Sequence, residues 1–200
     1  DWQKRILKWT MLLHDIGKPA SKVVRVTDEG EIYNFFSHEK YSETIARKLL
    51  TKLRFFFFFI NNVCHLIENH MFHYEESWSD AAIRRFVVRV KPENIEDLID
   101  LRLADMYGKY NMPIQIKESN ACDLLIQLQD RIKKIQEENS AFTLKSLAVS
   151  GKDLMEIGIP SGKLIGKILD SLLETVLDDP KQNSKDVLLN IAKNLYEQMK

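Results

Sequence analysis

The spacing of apolar residues predicts helices along almost the whole chain. Ile6, Leu7, Trp9, Leu13 and Ile16 share one face, so a helix is expected from Asp1 to Ile16. Gly17, by taking a positive φ, and Pro19, by being unable to continue, are expected to end it. A second stripe of Tyr41, Ile45, Leu49, Leu50 and Leu53 predicts a helix from His38 to about Arg54, with Ser37 as its N-cap. Further helices are expected over Ile60 to His73, Ala81 to Val90, Glu93 to about Tyr107, and Asn120 to Glu138. A short one follows from Ser150 to near Gly158, then Lys163 to Leu177 and Lys185 to Gln198. Residues 22–27 and 32–36 are β-like and flank a turn, which makes a small hairpin or an irregular loop. The run Phe55–Phe59 predicts a buried apolar corner. The expected fold class is all-α: a helical bundle over 1–113 with a β-like hairpin near 22–36, a break at Gly108 to Pro113, and a helical body or tail over 114–200.

Several polar residues fall where this pattern wants apolar ones. His38 lies three positions before Tyr41 and seven before Ile45, in line with the core stripe. His70 is in register with Val63 and Ile67. Asp105 follows Leu98 and Leu101 at i+7 and i+4, so it projects from an apolar face. A buried carboxylate without a partner is costly, so that position wants a metal, an Arg or a Lys. His14 and Asp15 stand side by side at the end of the first helix. Each alone reads as a satisfied core polar group. Together, on separate helices, they read as one polar centre of His and carboxylate ligands suited to Mn2+, Fe2+, Ni2+, Mg2+ or Zn2+. Lys18 stands just past the pair, where it could hold a phosphate as a point charge.

Composition narrows the classes. With 44% hydrophobic and 29% charged residues the chain is globular in type. A net charge of zero excludes a global basic field for nucleic acid, although residues 1–54 carry 11 Lys/Arg against 7 Asp/Glu, a net of +4. Two cysteines, Cys64 and Cys122, make no disulfide framework and fit a reducing cytoplasm. No apolar run reaches the ~18 residues of a membrane span.

The segment His14-Asp15-Ile16-Gly17-Lys18-Pro19 resembles the core motif of the HD superfamily of metal-dependent phosphohydrolases. A wider set is similar to the C-terminal HD region of bacterial tRNA nucleotidyltransferases (CCA-adding enzymes) and poly(A)-polymerase-like proteins. The set comprises 12–19, Phe36-Ser37-His38-Glu39, 46–55, Asn69-His70-Met71, 79–85, 101–105 and 150–168. The resemblance implies metal ligation by His14, Asp15 and Asp105, with His38 and His70 lining the same pocket as second-metal or substrate residues. The catalytic group it implies is Asp15, Lys18, His38 and His70. The implied cofactor is a divalent ion, with Mg2+, Mn2+, Ni2+ and Co2+ as candidates. The implied activity is phosphohydrolase or phosphodiesterase chemistry on nucleotide or RNA-end phosphoesters in tRNA processing. The alternative is a passive body that binds tRNA through Arg131, Lys133, Lys134, Lys152, Lys163 and Lys167 for a nucleotidyltransferase head. Three departures stand out. No His precedes His14, so the family's first ligand is expected upstream of Asp1 in a longer parent. No strand-borne Gly-rich turn with paired aspartates is present, so no nucleotide addition is expected from this chain alone. The Phe55–Phe59 run replaces polar residues.

Overall fold

In a computed structural model, the structure describes residues 2–110, 120–138 and 143–199. The described chain is helical apart from one hairpin. It falls into two compact units, Asp1–Glu75 with Val90–Ile126, and Glu76–Arg89 with Gln127–Lys200. The break predicted from Gly108 to Pro113 does not begin at Gly108, because the helix there runs on to Tyr110, glycine being tolerated inside a helix at a modest cost; residues 111–113 lie outside the described ones.

The first unit is built from α1 (Trp2–Leu13), α2 (Lys18–Ser21), the strands β1 (Lys22–Thr27) and β2 (Gly30–Phe35), α3 (His38–Lys52), α4 (Phe57–Asn69) and α6 (Ile95–Tyr110). Between α4 and α6 the chain runs through α5 (Asp80–Val90), and α7 (Asn120–Glu138) begins in this unit. Helix α4 is the hub, packed on α1, α3 and α6. Its buried face of Phe59, Ile60, Val63, Cys64, Leu66 and Ile67 explains this, because apolar side chains cover more than one side of it. Burial pushes the Cys64 thiol up to about 11, as an inert core residue. The hairpin is antiparallel with Lys22 opposite Phe35 and Thr27 opposite Gly30, and Gly30 takes the positive φ of 124° that its turn needs.

Several local expectations are corrected. Helix α1 ends at Leu13 rather than Ile16, and Ile16 is exposed. Gly17 has φ −83°, not a positive φ, and Pro19 opens the short α2 instead of stopping a helix, because a proline lacks only a donor that the first turn leaves unused anyway. What requires glycine at 17 is crowding. A Cβ there would lie 2.4 Å from the Ser42 nitrogen and 2.6 Å from the His38 oxygen, while the Gly17 N–H donates to Ser42 Oγ at 2.9 Å. Ser37 sits in the left-handed region at φ 55° and makes no side-chain cap. Helix α4 ends at Asn69, so His70 is its C-cap and His73 is outside it. In the Phe run Phe59 is buried and stacks on half-buried Phe55, but Phe56, Phe57 and Phe58 are exposed, since one helical turn cannot turn five successive side chains inward.

The second unit holds α5 up to Arg89, the rest of α7, then α8 (Gly151–Glu156), α9 (Lys163–Asp178) and α10 (Lys185–Gln198). Its core includes Leu154, Ile168, Leu172, Val176, Leu188 and Ala192. Ser150 and Asp153 form a reciprocal capping box on α8, and Lys185 pairs with Asp153. Arg84 is buried, and its guanidinium donates to the Leu177 and Asp178 carbonyls at 2.6 and 3.2 Å. A cation thus satisfies carbonyls that the end of α9 leaves open.

Gly17→Ala is expected to destabilise the fold by about 2–3 kcal/mol through overpacking against α3, read as a lower urea midpoint. An unchanged midpoint would show that α3 can step back from residue 17.

Candidate functional site

His14, His38 and His70 are each buried, and each is oriented in the same way. The Nδ1–H of each donates to the carbonyl three residues earlier: His14 to Met11 at 2.8 Å, His38 to Phe35 at 2.9 Å, and His70 to Ile67 at 2.7 Å. A carbonyl can only accept, so Nδ1 carries the proton and Nε2 is left to face the centre. The acceptors lie where regular structure ends: the last turn of α1, the last residue of β2 and the last turn of α4. The helix-terminal carbonyls of Met11 and Ile67 lack the N–H four residues on that a continuing helix would supply, which leaves them able to accept from imidazoles; that of Ile67 also takes the His70 backbone N–H at 3.4 Å.

The three Nε2 atoms meet two carboxylates. His14 Nε2 lies 3.4 Å from Asp15 Oδ2 and 3.3 Å from Asp105 Oδ1. His38 Nε2 lies 3.1 Å from Asp15 Oδ1 and 3.3 Å from His70 Nε2. Donor atoms of His14, Asp15 and His70 all fall within 4.8 Å of one another. Asp105 joins them through His14, and His38 through Asp15 and His70. The predicted centre is therefore one place in space, although its five residues come from the loop after α1, from α3, the end of α4, and α6.

The donor set fits a divalent ion. Bonds of about 2.0–2.2 Å put neighbouring ligands about 2.8–3.6 Å apart, the range of the 3.1–3.4 Å pairs above, while the His14, Asp15 and His70 donors are gathered within 4.8 Å. Facing Nε2 lone pairs on His38 and His70 also repel unless a proton or cation lies between them. Among the described residues, His14, Asp15 and His70 are the ones whose donor atoms gather closely enough to hold one ion; Asp105 lies against His14, and His38 against Asp15 and His70.

Two cations flank the centre. Lys18 Nζ is 2.5 Å from Asp15 Oδ2, and Arg102 Nη1 is 3.6 Å from Asp105 Oδ2. Sequence patterning did not single out Arg102; it lies three residues before Asp105, so a helix puts the two on one face. The centre opens into a cavity of about 710 Å³ lined by Asp15, Lys18, His38, His70, Arg102 and Asp105, with Tyr33, Asn34 and Phe35 of β2 and Met71 among its other walls.

Electrostatics follow from this crowding. Burial lowers the His14 pKa, but hydrogen bonds with Asp105 and Met11 and the two carboxylate charges outweigh it, and the net shift is upward from 6.5. The same hydrogen bond to His14 holds Asp105 below its ordinary 3.8 against burial, with Arg102 assisting. Burial pulls His70 below 6.5, and the neighbouring imidazoles add to this.

The pattern of the family tRNA nucleotidyltransferase domain 2 matches residues 24–192. The chain belongs to this family. An A-adding tRNA nucleotidyltransferase of Deinococcus radiodurans is 28% identical over 170 residues, covering 84% of this chain and 37% of that protein. The chain thus spans about a third of the length of that curated relative. No solved structure matches it significantly. As a tRNA nucleotidyltransferase domain 2 it is the body or tail part of a nucleotidyltransferase-like protein, and among its described residues no helix is long and apolar enough to cross a membrane.

The predicted RNA-binding residues lie in the second unit of this domain. Lys133, Lys134, Lys152, Lys163 and Lys167 are exposed. Lys163 and Lys167 are one turn apart at the start of α9. Arg131 is half-buried and holds Asp80 at 2.6 Å, which commits its charge to the fold.

In the ion-free chain the signs of the shifts define a window. A raised His14 stabilises the fold fully below about 6.5, and this is lost as pH rises through its folded value; a lowered Asp105 stabilises above about 3.8, and this is lost as pH falls through its folded value. His14→Gln is expected to flatten the decline in stability between about pH 6 and 8. Urea midpoints across that range, compared with the parent chain in EDTA, check it; parallel curves would refute it.

Proposed function

We propose that the first unit is an HD-type, divalent-metal-dependent phosphohydrolase or phosphodiesterase acting on nucleotide or RNA-end phosphoesters in tRNA processing. The observation that carries the reading is the convergence of three Nε2-facing imidazoles and two carboxylates at one end of a cavity. A bound Mg2+, Mn2+, Ni2+ or Co2+ would lower the pKa of its water and polarise a phosphoryl oxygen. The chain's residues supply the rest. His14, Asp15 and Asp105 hold the ion. Lys18, now on Asp15, neutralises the phosphate's charge. His38 and His70 orient the substrate or give a proton to the leaving oxygen. The cytoplasm and a longer parent with a nucleotidyltransferase head belong to the same reading, supported by the family and the relative's greater length.

Turnover of bis-p-nitrophenyl phosphate is expected with at least one of these metals. Asp105→Asn is expected to lower both Mn2+ affinity and turnover at least tenfold. Because the ligands must shed protons, binding is expected to release protons and to weaken as pH falls. No turnover with any metal, or an Asp105→Asn chain that keeps both properties, would sink the reading.

The exposed lysines favour a second role, a tRNA-binding body in the second unit. Lys163→Glu with Lys167→Glu is expected to weaken tRNA binding at low salt and to flatten its dependence on salt concentration by about two phosphate contacts. Unchanged affinity in a filter-binding titration would remove these lysines from the interface.

A further inference from the structure

We propose that Arg102 is the phosphate fork of this site and that Tyr33 and Phe35 of β2 form the wall that takes a nucleobase, so that the ligand is a nucleoside phosphate rather than a bare phosphoester. The inference rests on the phosphoester reading above and adds to it the residues that choose the substrate.

Arg102 is suited to this by what it leaves undone. A guanidinium carries five donors in a planar fork. The one contact of Arg102 among the described residues is Asp105 at 3.6 Å, longer than a hydrogen bond, and its side chain is 28% exposed at the cavity. Lys18 is different, because its ammonium is bound tightly to Asp15. Of the two cations, Arg102 therefore has donors to spare for a bidentate phosphate contact. Its tie to Asp105 keeps the fork beside the cluster of carboxylates and imidazoles.

Opposite chemistry lines the hairpin. Tyr33 and Phe35 alternate along β2 and so fall on one face of the strand. The Tyr33 hydroxyl donates to Glu31 at 2.6 Å and Lys22 Nζ lies 3.8 Å from its ring, which fixes the plate. Phe35 is half-buried and its carbonyl holds His38, so this ring is tied to the centre through one residue. The ~710 Å³ cavity lies in the range of ligand sites, about 300–1,000 Å³, with room beyond a phosphate.

The test is equilibrium binding of AMP, ribose 5-phosphate and inorganic phosphate to the full 200-residue chain, by calorimetry in EDTA and in Mn2+, with Mn2+ affinity measured separately by electron paramagnetic resonance. The parent chain is expected to bind AMP at least fivefold more tightly than ribose 5-phosphate, the gain of one base stacked on an aromatic ring. Tyr33→Ala and Phe35→Ala are expected to erode that preference while leaving inorganic phosphate unchanged; Tyr33 is exposed, so its variant keeps the test alive if Phe35→Ala unfolds. Arg102→Ala is expected to weaken all three ligands at least tenfold with Mn2+ affinity unchanged, and Arg102→Lys to recover only part, since lysine keeps the charge but not the fork. Equal binding of AMP and ribose 5-phosphate by the parent would overturn the base wall. Arg102→Ala binding phosphate like the parent, or losing Mn2+ in step with phosphate, would overturn the fork, the latter by showing that Arg102 only positions Asp105. Failure of Mn2+ to bind with the AMP preference intact would sink the hydrolase reading alone. Competition between AMP and a 3′-phosphorylated trinucleotide separates a free nucleotide from an RNA end.

Discussion

Three imidazoles held by the carbonyl three residues behind them are the constraint on which the first unit depends. Each hydrogen bond uses a carbonyl at the end of a helix or strand, so the elements must stop where they do for the site to exist. One more helical residue after Leu13 or Asn69 would engage carbonyls that now orient His14 and His70. Gly17 serves the same end. It lets the turn after α1 press against the start of α3, which sets Asp15 and His38 within 3.1 Å of each other.

Charge at the centre is balanced in pairs. Asp15 is shared by His14, His38 and Lys18, and Asp105 by His14 and Arg102. Half-buried carboxylates in such number cost too much alone, and each has a cationic neighbour outside the ligand set. The raised pKa of His14 and the lowered pKa of Asp105 are one interaction seen from its two ends.

The second unit rests on a separate apolar core and on Arg84, which closes the end of α9 from inside. It carries the exposed lysines and none of the centre's residues. Chemistry and the candidate RNA surface are thus borne by different cores of one chain, and a substitution in one is expected to leave the other folded.

Helical periodicity by itself determined that the chain is helical and roughly where each helix lies, left 22–36 open between a hairpin and a loop, and picked out His38, His70 and Asp105 as polar residues in line with apolar stripes. It misjudged the ends of elements. Gly17 and Pro19 read as a stop, but crowding against α3 and the free first turn of α2 decided their roles. Five phenylalanines read as a buried corner, and only the neighbours available to Phe55 and Phe59 decided which were covered. Apolar spacing gave no reason to single out Arg84 or Arg102. The surroundings of Arg84 are set by partners over ninety residues away, and those of Arg102 by the cavity that it lines with β2 and the histidines. Local spacing records which face of an element is buried, since that is a property of one helix. What the buried face meets is a property of two, and only the tertiary structure holds it.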